Sequence, residues 1–253
     1  MVYKSDLHIH SCLSPCGDLE MSPSDIIQTA KSKGLNLIAL TDHNSAMNCP
    51  ALNELCMNDG EISCFFGIEV TSEEEVHILT LFDRLDSVME FSDLIYKSLP
   101  EIYNDPDKFG DQVYVDSENN IIGEVDKYLG SPSGYNIASV IDKVHSLGGL
   151  VIPAHVDRPV YSLSSQLGFI PEENFDALEL SKNYVLGGNS GGNRNIILNL
   201  DNFPHITNSD SHYLNDIGAV YSEFETDDLS IESLRNLLNR YQISMKIAKN
   251  RQS

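Results

Sequence analysis

The stretch DLHIHSCLSPCGDLEMSPSDIIQTAKSKGLNLIALTDHN, residues 6–44, decides how the fold is read. Its first residues continue an apolar alternation that predicts a strand over 3–9. Ser22-Pro23-Ser24-Asp25 is a helix start, with a Ser cap, Pro at the first helical position and an acid at the third. The helix runs through IIQTAKSK and stops at Gly34, which tolerates the left-handed conformation a helix end needs. LNLIAL (35–40) is then a continuous apolar run, the pattern of a strand covered on both faces.

The same alternation extends outward. ISCFFGIEVT (62–71) and VHILTLF (76–82) read as strands, followed by a helix over 86–98. LPEIYNDPDKFGD (99–111) is turn-rich, and VYVD and IIGEV around Ser117-Glu118-Asn119-Asn120 read as a hairpin, so 99–130 is taken as an insertion. A helix over 135–147 follows, opened by Ser131-Pro132-Ser133 and closed by Gly148-Gly149. Strands are expected at LVIPAH (150–155), ALEL (177–180) and HITNSD (205–210), with a last helix near 230–240. Strands separated by helices imply parallel pairing through crossovers. About seven of them suit a single barrel-like α/β domain over 1–253; periodicity alone leaves an open doubly wound sheet as an alternative. No internal repeat or low-complexity segment interrupts the chain.

Composition bounds the function. Of 253 residues, 16 are Lys or Arg and 38 are Asp or Glu, a formal net charge of −22. Such a chain is not expected to build the basic stripe that long nucleic acids require. No apolar run approaches a bilayer span, and MVYKSDLHIHS carries no secretory h-region. Cys12, Cys16, Cys49, Cys56 and Cys64 are odd in number and confined to the first quarter, which reads as reduced thiols. A soluble cytoplasmic protein without a membrane partner is the expectation, its oligomeric state left open.

Six of the eight histidines fall in polar clusters at expected strand ends: His8-Ile9-His10, Asp42-His43, His77, Ala154-His155 and Asp210-Ser211-His212, with Glu69 late in the third strand. Alternate strand residues share a face, so His8 pairs with His10 and Asp210 with His212. A lone His-x-His is weak, because a buried histidine usually only satisfies a backbone group. The same placement at five strand ends is different: left unpaired, each such group would cost roughly 1–3 kcal/mol. The set matches the nitrogen and oxygen donors of a metal site at the rim where α/β strands end. His145 and His205 are read as structural or surface residues.

DLHIHS, GDLEMSPSDIIQTAKSKGLNLIALTDHN, Glu69, His77, PAH and NSDSHY together resemble the PHP superfamily, the polymerase and histidinol phosphatase group of metal-dependent phosphoesterases. The resemblance implies a distorted seven-stranded TIM-like β/α barrel and a trinuclear site for Mn, Fe or Zn. His8, His10 and Asp210 would hold one ion. Glu69 would bridge it to a second held by His77 and His155, and Asp18, His43 and His212 would hold the third. Asp42, beside His43, would orient a ligand imidazole. SPCGDLEMSP departs from the shorter turn of many relatives, with Glu20 two positions from Asp18. Amidohydrolases also begin with His-x-His, but their bridging ligand is a modified lysine. No lysine occurs here between Lys33 and Lys97.

Divalent ions in such a site favour attack of water on phosphorus. Arg158, three residues past His155, and Arg194, beside the glycine-rich 187–192 stretch, are the candidates to bind the phosphoryl group. That stretch matches neither a P-loop nor a dinucleotide fingerprint and is read as a loop over the site. Glu73-Glu74-Glu75 is read as a solvated turn, and Cys12 and Cys16 as small buried thiols. The expected activity is hydrolysis of a small phosphorylated metabolite or nucleotide. The alternatives are a 5′–3′ exonuclease of short oligonucleotides and a non-catalytic metal-binding regulatory module. Ions at the rim would offset the acidic body locally, so the net charge argues against long polyanions rather than against phosphate.

Overall fold

The computed structural model describes residues 1–187 and 200–248. Eleven strands occur among them: β1 (Val2–Ile9), β2 (Leu37–Leu40), β3 (Ser63–Thr71), β4 (His77–Phe82), β5 (Val113–Val115), β6 (Ile121–Glu124), β7 (Leu150–Pro153), β8 (Leu178–Leu180), β9 (His205–Thr207), β10 (Val220–Glu225) and β11 (Ser244–Ile247). Seven form one curled sheet in the order β11-β10-β1-β2-β3-β4-β7, while β8 and β9 pair separately and in parallel. The ring is completed by irregular contacts. Val156 N–H donates to Glu179 O at 2.9 Å and Asp176 N–H to Val151 O at 2.9 Å, tying β7 to β8. His10 N–H donates to Ser211 O at 3.0 Å, tying the segment after β9 to the end of β1. The circuit β1-β2-β3-β4-β7-β8-β9 is the expected distorted barrel, wedged open at one end by β10.

Strand direction departs from the expectation. β1, β2 and β3 run parallel, but β4 is antiparallel to both β3 and β7. The reason is the connection: Ser72–Val76 is far too short for a crossover, which needs a dozen or more residues. Glu75 takes φ 58° in this turn. Glu74 is not merely solvated; its carboxylate accepts the Ile137 N–H at 3.1 Å, at the start of the helix Ile137–Ser146.

The helix Pro23–Ser32 is capped by Ser22, whose Oγ accepts the Asp25 N–H, and Gly34 follows it at φ 77°. With the helices Cys49–Asp59, Leu85–Ser98 and Ile137–Ser146 it packs on the outward side chains Ile38, Leu40, Phe66, Ile68 and Ile78. The inward set is Leu7, Leu37, Ala39, Phe65, Leu79 and Leu81, and the final helix Ile231–Asn239 closes it from below with Ile231, Leu234 and Leu238. A register shift between Asp6 and Ile9 lets Leu7 face inward and Ile9 outward. That bulge turns His8 and His10 into the barrel mouth. The 99–130 segment does contain a hairpin, β5–β6, and it packs through Val113 and Val115 on Cys12 and through Leu99 and Leu129 on Leu13. No helix among the described residues is long and apolar enough to cross a membrane.

Candidate metal centre

Glu69 is the hub. It lies opposite Leu79 across β3–β4, hence on the inward face, and is 1 % exposed. Its Oε1 lies 3.4 Å from His8 Nε2, 3.1 Å from His77 Nδ1 and 3.1 Å from His155 Nε2. Its Oε2 lies 3.4 Å from His10 Nε2 and 3.1 Å from His43 Nδ1. Asp210 Oδ1 is 3.5 Å from His8 Nε2 and 3.3 Å from His10 Nε2. His155 and Asp210 both sit at positive φ, 33° and 51°, a conformation costly for non-glycine residues and held here by the surrounding structure.

Donor atoms within 4.8 Å of one another form three overlapping groups: His8, His10 and Glu69; His43, Glu69 and His77; and His10, Cys16, His43 and His212. These groups hold six of the nine expected ligands, and His155 and Asp210 join them at the distances to Glu69, His8 and His10 given above. Asp18 does not join these groups. Its Oδ1 accepts the Glu20 N–H at 2.9 Å, and the donor brought to His10, His43 and His212 is the exposed Cys16.

Hydrogen bonding fixes how the imidazoles face. Ser14 Oγ gives its one proton to Asp42 Oδ1 at 2.7 Å and accepts the His43 N–H at 3.1 Å. Its remaining lone pair can only accept from His10 Nδ1, 3.0 Å away, so His10 carries its proton on Nδ1 and presents Nε2 as a lone pair. Glu179, buried, holds His8 Nδ1 at 3.0 Å in the same way. His212 Nδ1 donates to the Asp210 carbonyl at 3.0 Å, leaving its Nε2 free. Asp42 thus orients a ligand imidazole, that of His10, through Ser14; it also takes the Ser11 N–H and hydroxyl, each at 2.6 Å.

The charges at this hub are strongly perturbed. Burial alone would raise the Glu69 carboxyl, but the imidazoles of His77, His8 and His43 outweigh it and hold it well below the usual range. Asp210 is likewise held low against burial by His8 and His10. For His10, burial is overcome by Asp210 and Glu69, which push it up to about 9, whereas burial brings His212 down to about 4.

The residues fit divalent ions. His8 Nε2 and His10 Nε2 stand 3.2 Å apart, so two facing lone pairs there must be offset by a shared proton or by a cation. Nδ1 of His43 and of His77 is buried without a hydrogen-bond partner, although each is 3.1 Å from a Glu69 oxygen. Ligands about 2.1 Å from a common ion are separated by about 3.0–3.4 Å, the spacing of this set.

Arg158 reaches the rim, but its Nη1 is held by Asp210 Oδ2 at 2.6 Å. Beside it a cavity of about 230 Å³ is lined by Arg158, Lys182, Asn183, Asp210, His212 and Tyr213. Arg194 lies outside the described residues. His145 is remote, paired to Asp176 at 2.9 Å, and His205 starts β9. Sequence reading missed Glu179, Ser14, Lys182 and Tyr161, whose ring stacks on His77 at 4.7 Å. Only Glu179 left a signal, as an acid inside the apolar run ALEL.

The sequence profile of the PHP domain matches residues 6–150, more than half of the chain, and one described as PHP-associated matches 198–242. The chain belongs to the PHP family. As a PHP protein it is a hydrolase of the metal-dependent phosphoesterase and nuclease group. It is 25% identical over 194 residues to a 5′-3′ exoribonuclease of Haemophilus influenzae, covering 61% of this chain and 69% of that protein. In structure it resembles a lesion-specific endonuclease of Pyrococcus furiosus, with a TM-score of 0.66 and 22% identity over 98% of this chain. The PHP chain spans 58% of that endonuclease. A candidate metal-dependent phosphoesterase of Bifidobacterium adolescentis matches at TM-score 0.57 and 16% identity, covering 95% of this chain and 96% of that one. At these identities the structural likeness speaks to the fold.

Proposed function

We propose that this PHP protein hydrolyses the phosphoester of a small phosphorylated metabolite or nucleotide at a trinuclear site. The observation that carries this reading is the size and charge of the cavity beside the cluster. About 230 Å³ is less than the roughly 300–1,000 Å³ of drug-sized pockets. Its cations are Arg158 and Lys182, each already facing a carboxylate, Asp210 at 2.6 Å and Asp216 at 3.3 Å. One phosphate beside the cluster suits that lining; a long polyanion meets an acidic body.

His8, His10 and Asp210, then Glu69, His77 and His155, and finally His43 and His212 are the residues that would hold the ions, which are Mn, Fe or Zn on the chemistry of this donor set. Divalent ions bound there would lower the pKa of water toward neutrality and neutralise the phosphoryl oxygens. The protein contributes orientation. Glu179 and the Asp42–Ser14 pair keep Nε2 of His8 and His10 turned into the mouth, and Arg158 fixes the second oxygen of Asp210. Lys182, on the far wall of the cavity, binds and orients the substrate phosphate.

A second reading is 5′–3′ exonuclease action on short oligonucleotides, favoured by the named activity of the Haemophilus influenzae relative. The two separate in one assay. Protein supplied with Mn²⁺ is given nucleoside mono- and bisphosphates alongside a 5′-labelled oligonucleotide. Turnover of the small esters at least about tenfold faster, with KM raised by Lys182→Met and kcat nearly kept, supports the first reading. Stepwise release of mononucleotides at the higher rate supports the second. No turnover across both sets at full metal occupancy overturns both and leaves a non-catalytic module.

A further inference from the structure

The loop between β1 and the first helix brings a thiol, where a carboxylate was expected, to the third donor group. We propose that Cys16 is a metal ligand: its thiolate, with His43 and His212, holds one divalent ion and biases that position toward softer ions such as Zn²⁺ or Co²⁺. The proposal rests on reading the cluster as a metal centre.

Position is the first support. Cys16 Sγ lies within 4.8 Å of the ring nitrogens of His10, His43 and His212, while Asp18 is engaged by the Glu20 N–H. The loop is pinned on both sides of the thiol. Gly17 N–H donates to Ser14 O at 2.8 Å, and Asp18 N–H to the carbonyl of His212, itself one of the donors, at 3.0 Å. A Cβ on Gly17 would stand 2.3 Å from Ser11 O, so the turn after Cys16 admits only glycine. From outside, the 99–130 segment presses Gly110 so close to Pro15 that a Cβ there would stand 2.3 Å from its carbonyl oxygen.

The second support comes from the imidazoles. His212 has its proton committed to the Asp210 carbonyl and offers Nε2 as a lone pair. Buried His43 Nδ1 has no hydrogen-bond partner. His10 belongs to two of the groups, and its Nε2 already faces His8 and Asp210. His43 is likewise shared with the Glu69 and His77 group, so Cys16 and His212 are the two donors that serve this position alone. Coordination forms one sulfur–metal bond and releases the thiol proton to solvent. A soft sulfur donor favours Zn²⁺ over Mn²⁺.

The test reads the ligand directly. Co²⁺-loaded protein should show a thiolate-to-cobalt charge-transfer band in the near ultraviolet, and the Zn²⁺ form a sulfur scatterer at about 2.3 Å by X-ray absorption. Cys16→Ser should lose both signals and bind the third ion about tenfold or more weakly. Cys64→Ser, on the outer face of the barrel, should keep both. Iodoacetamide labelling mapped by mass spectrometry needs no variant: Cys16 should react in chelated protein and be slowed about tenfold or more by Zn²⁺. Bound ions with only nitrogen and oxygen scatterers, and Cys16 labelled equally fast with and without Zn²⁺, would overturn the ligand assignment and leave the metal centre standing. Absence of any bound divalent ion would overturn the metal centre itself.

Discussion

Glu179 gathers three donors on one buried carboxylate: the His8 ring at Nδ1, the His155 N–H at 3.0 Å and the Asn208 side-chain amide at 2.8 Å. Because all three partners donate, an amide cannot replace it. In Glu179→Gln one oxygen becomes an NH₂ that meets a donor, and His8 loses the anion that fixes its tautomer. We expect metal affinity to fall about 10–100-fold, read by competition with a chromophoric chelator, with little change in the fold. Unchanged affinity would mean His8 orients without it. Residues of this kind explain what the sequence conveyed about the centre. His8 and His10 were legible because their spacing by two, at a strand end, encodes a shared face. Ser14 and Glu179 were not, because their roles depend on which proton goes to which acceptor, and that is set by residues 28 and 171 positions away. Cys16 is brought to the third donor group by backbone contacts at Gly17 and Gly110, which no residue spacing records.

At the level of elements, strand positions were legible and strand direction was not. Residues 62–71 and 76–82 both carried strand patterns, but the separation between them allows only a hairpin, and the turn brings Thr71 opposite His77. Antiparallel pairing is thus what sets His77 beside Glu69 rather than at the far rim. β10 went unread because its inward alternation Val220, Ser222, Phe224 contains a polar residue. Ser222 Oγ bridges the Thr207 N–H at 3.0 Å and the Thr207 carbonyl at 2.9 Å, so a hydroxyl serves where apolar contact was sought. The helix Cys49–Asp59 was passed over although Asn48, Pro50 and Gly60 mark its ends; Asn48 gives it no side-chain cap, bonding instead to Ser11 Oγ and the Val115 N–H. The hairpin turn also stores a small strain. Glu75 at φ 58° is a left-handed non-glycine residue, at a cost of roughly 1–2 kcal/mol relative to the right-handed region. Glu75→Gly should therefore raise the unfolding free energy, read from denaturant titration, by up to about 1 kcal/mol once glycine's larger unfolded-state entropy is subtracted. A loss of stability would show that the Glu75 side chain contributes more than its backbone costs.

On the scale of the whole molecule, two features hold opposite ends of the barrel. At the mouth, the cluster concentrates lone pairs and carboxylates in a chain already at −22, so ions that bind the folded form must stabilise it. An ion held at 100 times its Kd contributes about 2.7 kcal/mol, and chelation should lower Tm by about 5–10 °C for each such ion removed. An unchanged Tm in EDTA would exclude tight sites. At the other end, Asp176, only 7 % exposed, accepts from Arg235 Nε at 2.8 Å, His145 Nε2 at 2.9 Å and the Val151 N–H at 2.8 Å, joining two helices to β7. Burial alone would raise its carboxyl; His145, Arg235 and the Val151 N–H together hold it below the ordinary value. A depressed folded-state carboxyl binds its proton later than the unfolded chain does. Its contribution is full above the unfolded value of about 4 and is lost as pH falls through the folded one. Glu232, the other charge facing Arg235 at 3.0 Å, is mostly exposed and adds little. In chelated protein, where acid cannot act by displacing ions, wild-type stability should fall steeply below about pH 4. Asp176→Asn should be weaker at neutral pH yet show a shallower fall over that limb. Parallel curves for the two proteins would mean that acid unfolds the barrel from another place.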